Sequence, residues 1–298
     1  MSTLKKLPLI LCLFLLAACS ATPAGTLSTP SQPAVIETST VSPPTATSVP
    51  MAFTVNGDGL PLVEFEAELE RYRQSQTALG REVSDEQARQ TVLDDLISQF
   101  LLAQAAREAG FSLEESALQE RIDSLTAQLG GPDSLSAWQQ AHGYDEAGLR
   151  VALKRSIESA WMRDQIISSV PPTIEQVHVR QILTYNQEGA ERAKARLDEG
   201  TDFDELATLY DPATRGDIGW FPRGFLDLQT IEETAFTLEE NAISGILSTE
   251  VGFHIIKVIE RDPARPLAFD ALLVLQAKAL ESWVEDQRAQ SEIIVLVK

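Results

Sequence analysis

Gly252-Phe253-His254-Ile255-Ile256-Lys257-Val258 and, upstream of it, Gly216-Asp217-Ile218-Gly219-Trp220-Phe221 are the two stretches whose reading decides the fold of the second half of this chain. Residues 252–259 carry the branched and apolar composition of a strand, and so do residues 177–184. Residues 216–221 read as a turn punctuated by glycine. Between the two strands, Thr201 is placed to cap a short helix through Phe203, Leu206, Ala207 and Tyr210. Thr230 and Glu233 have the spacing of a second capping box. The order strand, helix, helix, turn, strand, helix, strand predicts an α+β unit, a small sheet surrounded by helices.

The preceding residues have a different period. Phe53-Thr54-Val55 is a short strand candidate ending at Asn56-Gly57, and Pro61 opens a helix to about residue 79. Ser84 and Gln87 form a capping box ahead of Leu93, Leu96, Ile97, Phe100, Leu101 and Ala105, a stripe of helical period that Gly110 closes. Leu118, Ile122, Leu125 and Leu129 mark a third helix, broken by Gly130-Gly131-Pro132. Leu149, Leu153, Ile157, Trp161 and Ile166 mark a long one, which Pro171-Pro172 stops. After residue 262 one amphipathic helix remains, at about 268–290, with Phe269, Leu272, Leu273, Leu280, Trp283 and Val284 on its apolar side. A lone helix of this kind needs a surface to pack on, so the chain is expected to return to its helical part.

The N-terminus is an export signal. Lys5 and Lys6 precede an apolar run to Leu16 that is too short for a spanning helix of about 20 residues. Leu16-Ala17-Ala18-Cys19 resembles the bacterial lipobox, which implies cleavage before Cys19 and a diacylglycerol on its sulfur. Cys12 lies in the removed segment, so no thiol is left for a disulfide, a metal or a nucleophile. Of residues 20–50, 23 are Ser, Thr, Pro or Ala and Glu37 is the only charge, so the segment cannot bury enough to fold. As a flexible tether it reaches on the order of 30 Å. The formal net charge of −20 opposes contact with phosphate backbones and so argues against nucleic acid as a partner.

Four motifs in order carry a family resemblance: Phe203-Asp204-Glu205-Leu206-Ala207, the 216–221 turn followed by Arg223-Gly224, Ala235-Phe236, and the 252–258 strand. Together they resemble the parvulin-type prolyl isomerases. Val55-Asn56-Gly57, the helix after it and the 93–102 segment resemble the N-terminal chaperone domain of the SurA/PrsA foldase group, in which a C-terminal segment completes that domain. The expected plan is a signal peptide (1–18), a tether (19–52), an all-α chaperone-like domain (53–172), a parvulin domain (173–262) and a C-terminal helix packing on the helical domain (263–298).

The resemblance implies site residues. His254 matches the second of the family's paired strand histidines, and Thr249 its hydroxyl position. Gln181 stands where the first histidine is expected; it donates and accepts hydrogen bonds but carries no titrating charge. His178 lies three residues upstream, and strand alternation puts it on the opposite face. Asp211, in a loop shorter than the family's, reads either as the acid of the active centre or as the turn chemistry ending a helix before Pro212. Leu226, Ile231 and Phe236 are assigned to the apolar slot for a proline ring. The reaction breaks no bond, and no metal or cofactor is required. Residues 173–262 hold 18 acids against 8 bases and the loop 185–189 has no base, which argues against a phosphoserine-proline preference. The implied partners are unfolded or newly exported proline-containing polypeptides, and the membrane through Cys19. Two readings stay open: a lipid-anchored isomerase and chaperone, or a non-catalytic chaperone using a degenerate parvulin domain to bind peptides.

Overall fold

The computed structural model describes residues 49–297; the expected signal peptide, Cys19 and nearly all of the tether lie outside the described residues. Two compact units form, one of residues up to Met162 together with those from Gln287 onward, the other Arg163–Asp286. These limits fall inside helices, whereas the composition of the chain changes at Pro171-Pro172 and near residue 262.

The first unit opens with an antiparallel hairpin of β1 (Met51–Val55) and β2 (Asp58–Pro61). Asn56 and Gly57 turn it with φ of 51° and 90°, the left-handed pair whose twist matches a two-residue hairpin. Pro61 is the N-cap residue of α1 (Leu62–Ala78). Ser84 and Gln87 form the expected reciprocal cap on α2 (Asp85–Glu108). Next come α3 (Glu115–Leu129), closed by Gly130 at φ 94°, then α4 (Pro132–Ala141) and α5 (Glu146–Ser168). Leu93, Leu96, Ile97, Phe100 and Leu101 are all buried, so the helical stripe of α2 is the core; Phe53 meets Phe100 edge-on at 5.2 Å. Arg155 holds the buried Glu64 carboxylate and donates from Nε to Gln99 at 3.0 Å. Burial nevertheless pushes the Glu64 carboxyl above its usual value.

The second unit is built on β3 (Thr173–Thr184), α6 (Gln187–Asp198), α7 (Phe203–Tyr210), β4 (Asp217–Pro222), α8 (Gln229–Thr237), β5 (Leu247–Thr249) and β6 (Gly252–Pro266). The strands form an antiparallel sheet in the order β4-β3-β6-β5. Ile182 and Ile255 face α6 and α7 on one side, packing on Ala193, Phe203 and Leu206. Val177, Val179, Ile256 and Val258 face α8 on the other, packing on Ile231, Ala235 and Phe236. Two caps differ from the expected ones. Asp202, not Thr201, caps α7, because its carboxylate accepts from the N–H groups of Asp204 and Glu205 at 2.8 and 3.0 Å. Thr230 lies inside α8, which starts after Leu228 without a side-chain cap, so no capping box forms with Glu233.

α9 (Phe269–Gln290) follows; Ala271 is its buried residue, while Phe269 and Leu273 stand exposed. In the first unit, Arg288 pairs with Asp94 at 2.9 Å. There β7 (Ile293–Val295) adds a third strand beside β1, with Phe53 opposite Val295 and Val55 opposite Ile293. Asn56 joins the pieces, accepting from Glu292 N–H at 2.9 Å and donating to Gln104 at 2.9 Å. Among the described residues no helix is long and apolar enough to cross a membrane.

Candidate active site

The register of β3 against β6 places Leu183 opposite His254 and Gln181 opposite Ile256. Side chains alternate along each strand, so Gln181 and His254 emerge on the α8 face one pleat apart. His254 Nδ1 lies 2.8 Å from Gln181 Oε1, and its Nε2 lies 2.9 Å from Thr249 Oγ1. Thr249 is brought there by the β5–β6 hairpin, in which it pairs with Gly252. Gly252 needs its φ of 144°, and a Cβ there would meet Thr184 O at 2.5 Å. In this arrangement His254 Nδ1–H donates to the Gln181 carbonyl oxygen, and Thr249 O–H is shared between His254 Nε2 at 2.9 Å and the Gly252 carbonyl at 3.2 Å. The imidazole is neutral. Burial at 1% exposure pushes its pKa below the ordinary value, because a charged ring loses hydration there. Among the described residues the amide N–H2 of Gln181 has no partner; it is the open end of the chain Thr249–His254–Gln181.

The three residues expected to form the slot differ in access. Leu226 is half-buried against the α8-side core, whereas Ile231 is 1% and Phe236 6% exposed, both within that core. Phe236 meets Phe221 edge-on at 6.1 Å and carries the exposed Arg223 guanidinium 4.1 Å from its ring centre. Glu232 fixes the loop that presents Leu226: its carboxylate accepts from Gly224 N–H at 2.7 Å and Leu226 N–H at 2.9 Å. Sequence reasoning missed Glu232. Its signal is an acid in the first turn of α8, facing back onto the Arg223-Gly224 loop.

Asp211 makes none of its hydrogen bonds to His254, Thr249 or the Gln181 side chain. Its Oδ1 accepts from the N–H groups of Ala213 and Thr214 at 3.1 and 3.2 Å. Its Oδ2 accepts from the Thr214 hydroxyl and from Gly216 N–H at 3.3 Å. Those bonds hold its carboxyl below the usual value, the Thr214 hydroxyl contributing most.

Residues 180–260 match the family described as the PPIC-type PPIASE domain, and residues 38–150 match the SurA-like N-terminal domain. Residues 180–260 are a parvulin-type prolyl isomerase domain. Foldase protein PrsA of Halalkalibacterium halodurans is 27% identical over 252 residues, covering 73% of this chain and 75% of that protein. A parvulin-like PPIase of Rickettsia typhi is 30% identical over 137 residues, 41% of this chain and 48% of that protein. Among solved structures, PrsA of Bacillus cereus aligns over 81% of this chain and 88% of that chain, at 16% identity and a TM-score of 0.43.

On the opposite face of the parvulin sheet, His178 Nε2 bonds Asp217 Oδ1 at 2.8 Å and its ring stacks on Trp220 at 5.4 Å. The register slips along β3 fall on its partners, where Ile218 and Ile259 are the extra residues, so alternation along β3 itself is unbroken. That is why His178 stays on the face opposite Gln181 and His254. Among the described residues no group of three or more His, Cys, Asp or Glu is arranged to hold a metal ion.

Proposed function

We propose that the chain is an exported, lipid-anchored peptidyl-prolyl cis-trans isomerase and folding chaperone, with His254, Gln181 and Thr249 as its polar centre. The observation that carries this reading is the continuous hydrogen-bond chain through those three side chains on a PPIC-type domain. An X-Pro amide must lose its planarity to rotate, and uncatalysed rotation takes tens to hundreds of seconds. Out of plane, the carbonyl oxygen loses the charge that conjugation gave it and the imide nitrogen recovers its lone pair, so a donor fixed at the nitrogen favours that state over the planar one. The Gln181 N–H2 is such a donor, oriented because its own oxygen is held by His254. His254 is in turn oriented by Thr249, and a chain polarised in one direction strengthens its last donor. Leu226 offers the half-open apolar surface for the proline ring, with Phe236 behind Arg223.

The anchor and the export route rest on Leu16-Ala17-Ala18-Cys19 and the apolar run before it. Cys19→Ser should release the protein from membranes or leave it unprocessed; unchanged membrane association and unchanged mass would remove the anchor from the account. Clients are unfolded proline-containing chains. In the first unit a cavity of about 380 Å³ is walled by the apolar Phe100, Ala103 and Val151 and by charged residues, Arg107, Lys154 and Glu158 among them, so it suits a polar or charged client side chain.

Gln181 at the first histidine position favours a second reading, a chaperone that binds peptides without catalysis. A protease-free isomerisation assay on an X-Pro peptide, run beside aggregation suppression of a denatured client, separates the two. Isomerisation above the uncatalysed rate supports the enzyme. Suppression without isomerisation leaves only the chaperone.

A further inference from the structure

Asp211 is the C-cap residue of α7, and all its side-chain bonds stay within residues 211–216. Three of its four accepted bonds come from backbone N–H groups, at Ala213, Thr214 and Gly216, and the fourth from the Thr214 hydroxyl. One carboxylate thus folds residues 211–216 into a tight turn. Within it Arg215 and Gly216 both take positive φ, 58° and 69°, a backbone path that needs local hydrogen bonds to persist. At the end of the turn, Gly216 O accepts from Gln181 N–H at 2.7 Å, a bond outside the regular ladder of β3 with β4. The approach is close enough that a Cβ on Gly216 would stand 2.0 Å from Gln181 O, so only glycine fits. Gln181 is therefore gripped from both sides of its Cα, by the Gly216 carbonyl at its N–H and by His254 at its side-chain oxygen.

We infer that Asp211 is a positioning residue: it folds the 211–216 turn that fixes the backbone of Gln181, and through it the amide that meets the client's imide nitrogen. This inference rests on the proposed role of Gln181 and deepens it. Its carboxylate acts as an acceptor for its own turn and is not a member of the polar centre. The geometry gives that role a physical content. Every oxygen lone-pair direction of Asp211 that the structure uses points into the turn, and the depressed pKa has those bonds as its cause. A site held to within about 0.5 Å is what pre-organised catalysis requires, and loosening one anchor of Gln181 costs orientation without removing a donor.

The test uses Asp211→Ala and the milder Asp211→Asn, each also in a Gln181→Ala background. Asparagine keeps the acceptor for Ala213 and Thr214 but not the one for Gly216, so it serves where alanine does not fold. Two readouts are taken. Hydrogen exchange at the Gln181 N–H should accelerate at least tenfold in both variants. The kcat of X-Pro isomerisation should fall about tenfold with KM nearly unchanged, yet fall less than twofold when Gln181 is already alanine. Unchanged exchange at Gln181 overturns the inference, and so does an equal loss of kcat in both backgrounds, which would make Asp211 an independent participant. A parent without isomerisation would defeat the enzyme reading itself, and the exchange measurement would still decide whether Asp211 holds Gln181.

Discussion

His254 and His178 stand on neighbouring strands of one sheet, on opposite faces and in opposite company. His254 is buried, and both ring nitrogens meet neutral partners, Gln181 and Thr249. His178 is partly open to solvent, and it meets a carboxylate, Asp217, and lies on an indole, Trp220. The first environment disfavours a charge and leaves a neutral imidazole to pass polarity along a chain. The second spends the ring on bracing the start of β4, where Asp217 Oδ1 also accepts from Gly219 N–H at 3.0 Å. The same residue type therefore bridges two neutral side chains on one face and braces a carboxylate on the other, and strand alternation decides the face.

That contrast is sharpened most by breaking the support under Gln181. Gly216→Ala should destabilise the second unit by about 3 kcal/mol or more, because φ of 69° is strained for alanine and the new Cβ strikes backbone at Gln181. Chemical unfolding followed by Trp220 fluorescence reads it, and a midpoint equal to the parent's would show that the turn gives way freely. Glu232→Gln comes next. Losing the charge on the acceptor for Gly224 and Leu226 should loosen the slot loop by about 1–2 kcal/mol and raise KM about tenfold at nearly constant kcat. A fall in kcat at constant KM would place Leu226 outside the slot.

Titration of His254 tests its environment without mutating the slot. The folded pKa of His254 lies below its ordinary value of 6.5, so the unfolded chain takes the proton first as pH falls. Its contribution to stability is therefore full above pH 6.5 and is lost as pH falls through the folded value. Denaturant midpoints across pH 7.5 to 5 should decline in the parent and decline less in His254→Gln. A steeper decline in the variant reverses the sign and contradicts the assignment. The smallest effect belongs to the other face: His178→Ala should change the isomerisation rate by less than about twofold, and a larger loss would mean that the two faces are coupled.

Much of this was legible before any coordinates. The α2 stripe, its Ser84–Gln87 cap and the Asn56-Gly57 turn follow local rules, and local rules decide those elements. The face of His178 followed from alternation, because the bulges fell on β4 and β6 and left β3 regular. What the sequence hid were contacts made at long range. β7 is three residues near the C-terminus whose partner lies some 240 positions earlier, and no periodicity marks so short a strand. The grip of Glu232 on Gly224 and Leu226, and of Gly216 on Gln181, depend on where loops end in space. The caps at Thr201 and Thr230 were misread for a simpler reason: an adjacent aspartate outcompeted one hydroxyl, and the other fell a residue inside its helix.

In the proposed mechanism His254 orients a Gln181 amide that stabilises the twisted X-Pro bond. The direct measurement is the protease-free isomerisation rate of parent, His254→Ala, Gln181→His and the double variant on one X-Pro peptide. Catalysis is expected in the parent, with a loss of about 10²-fold in His254→Ala and peptide affinity changed much less. In Gln181→His the rate should be unchanged or raised, with a pH dependence near neutrality that the parent lacks. A parent no faster than the uncatalysed reaction, or a His254→Ala variant as fast as the parent, would contradict this mechanism.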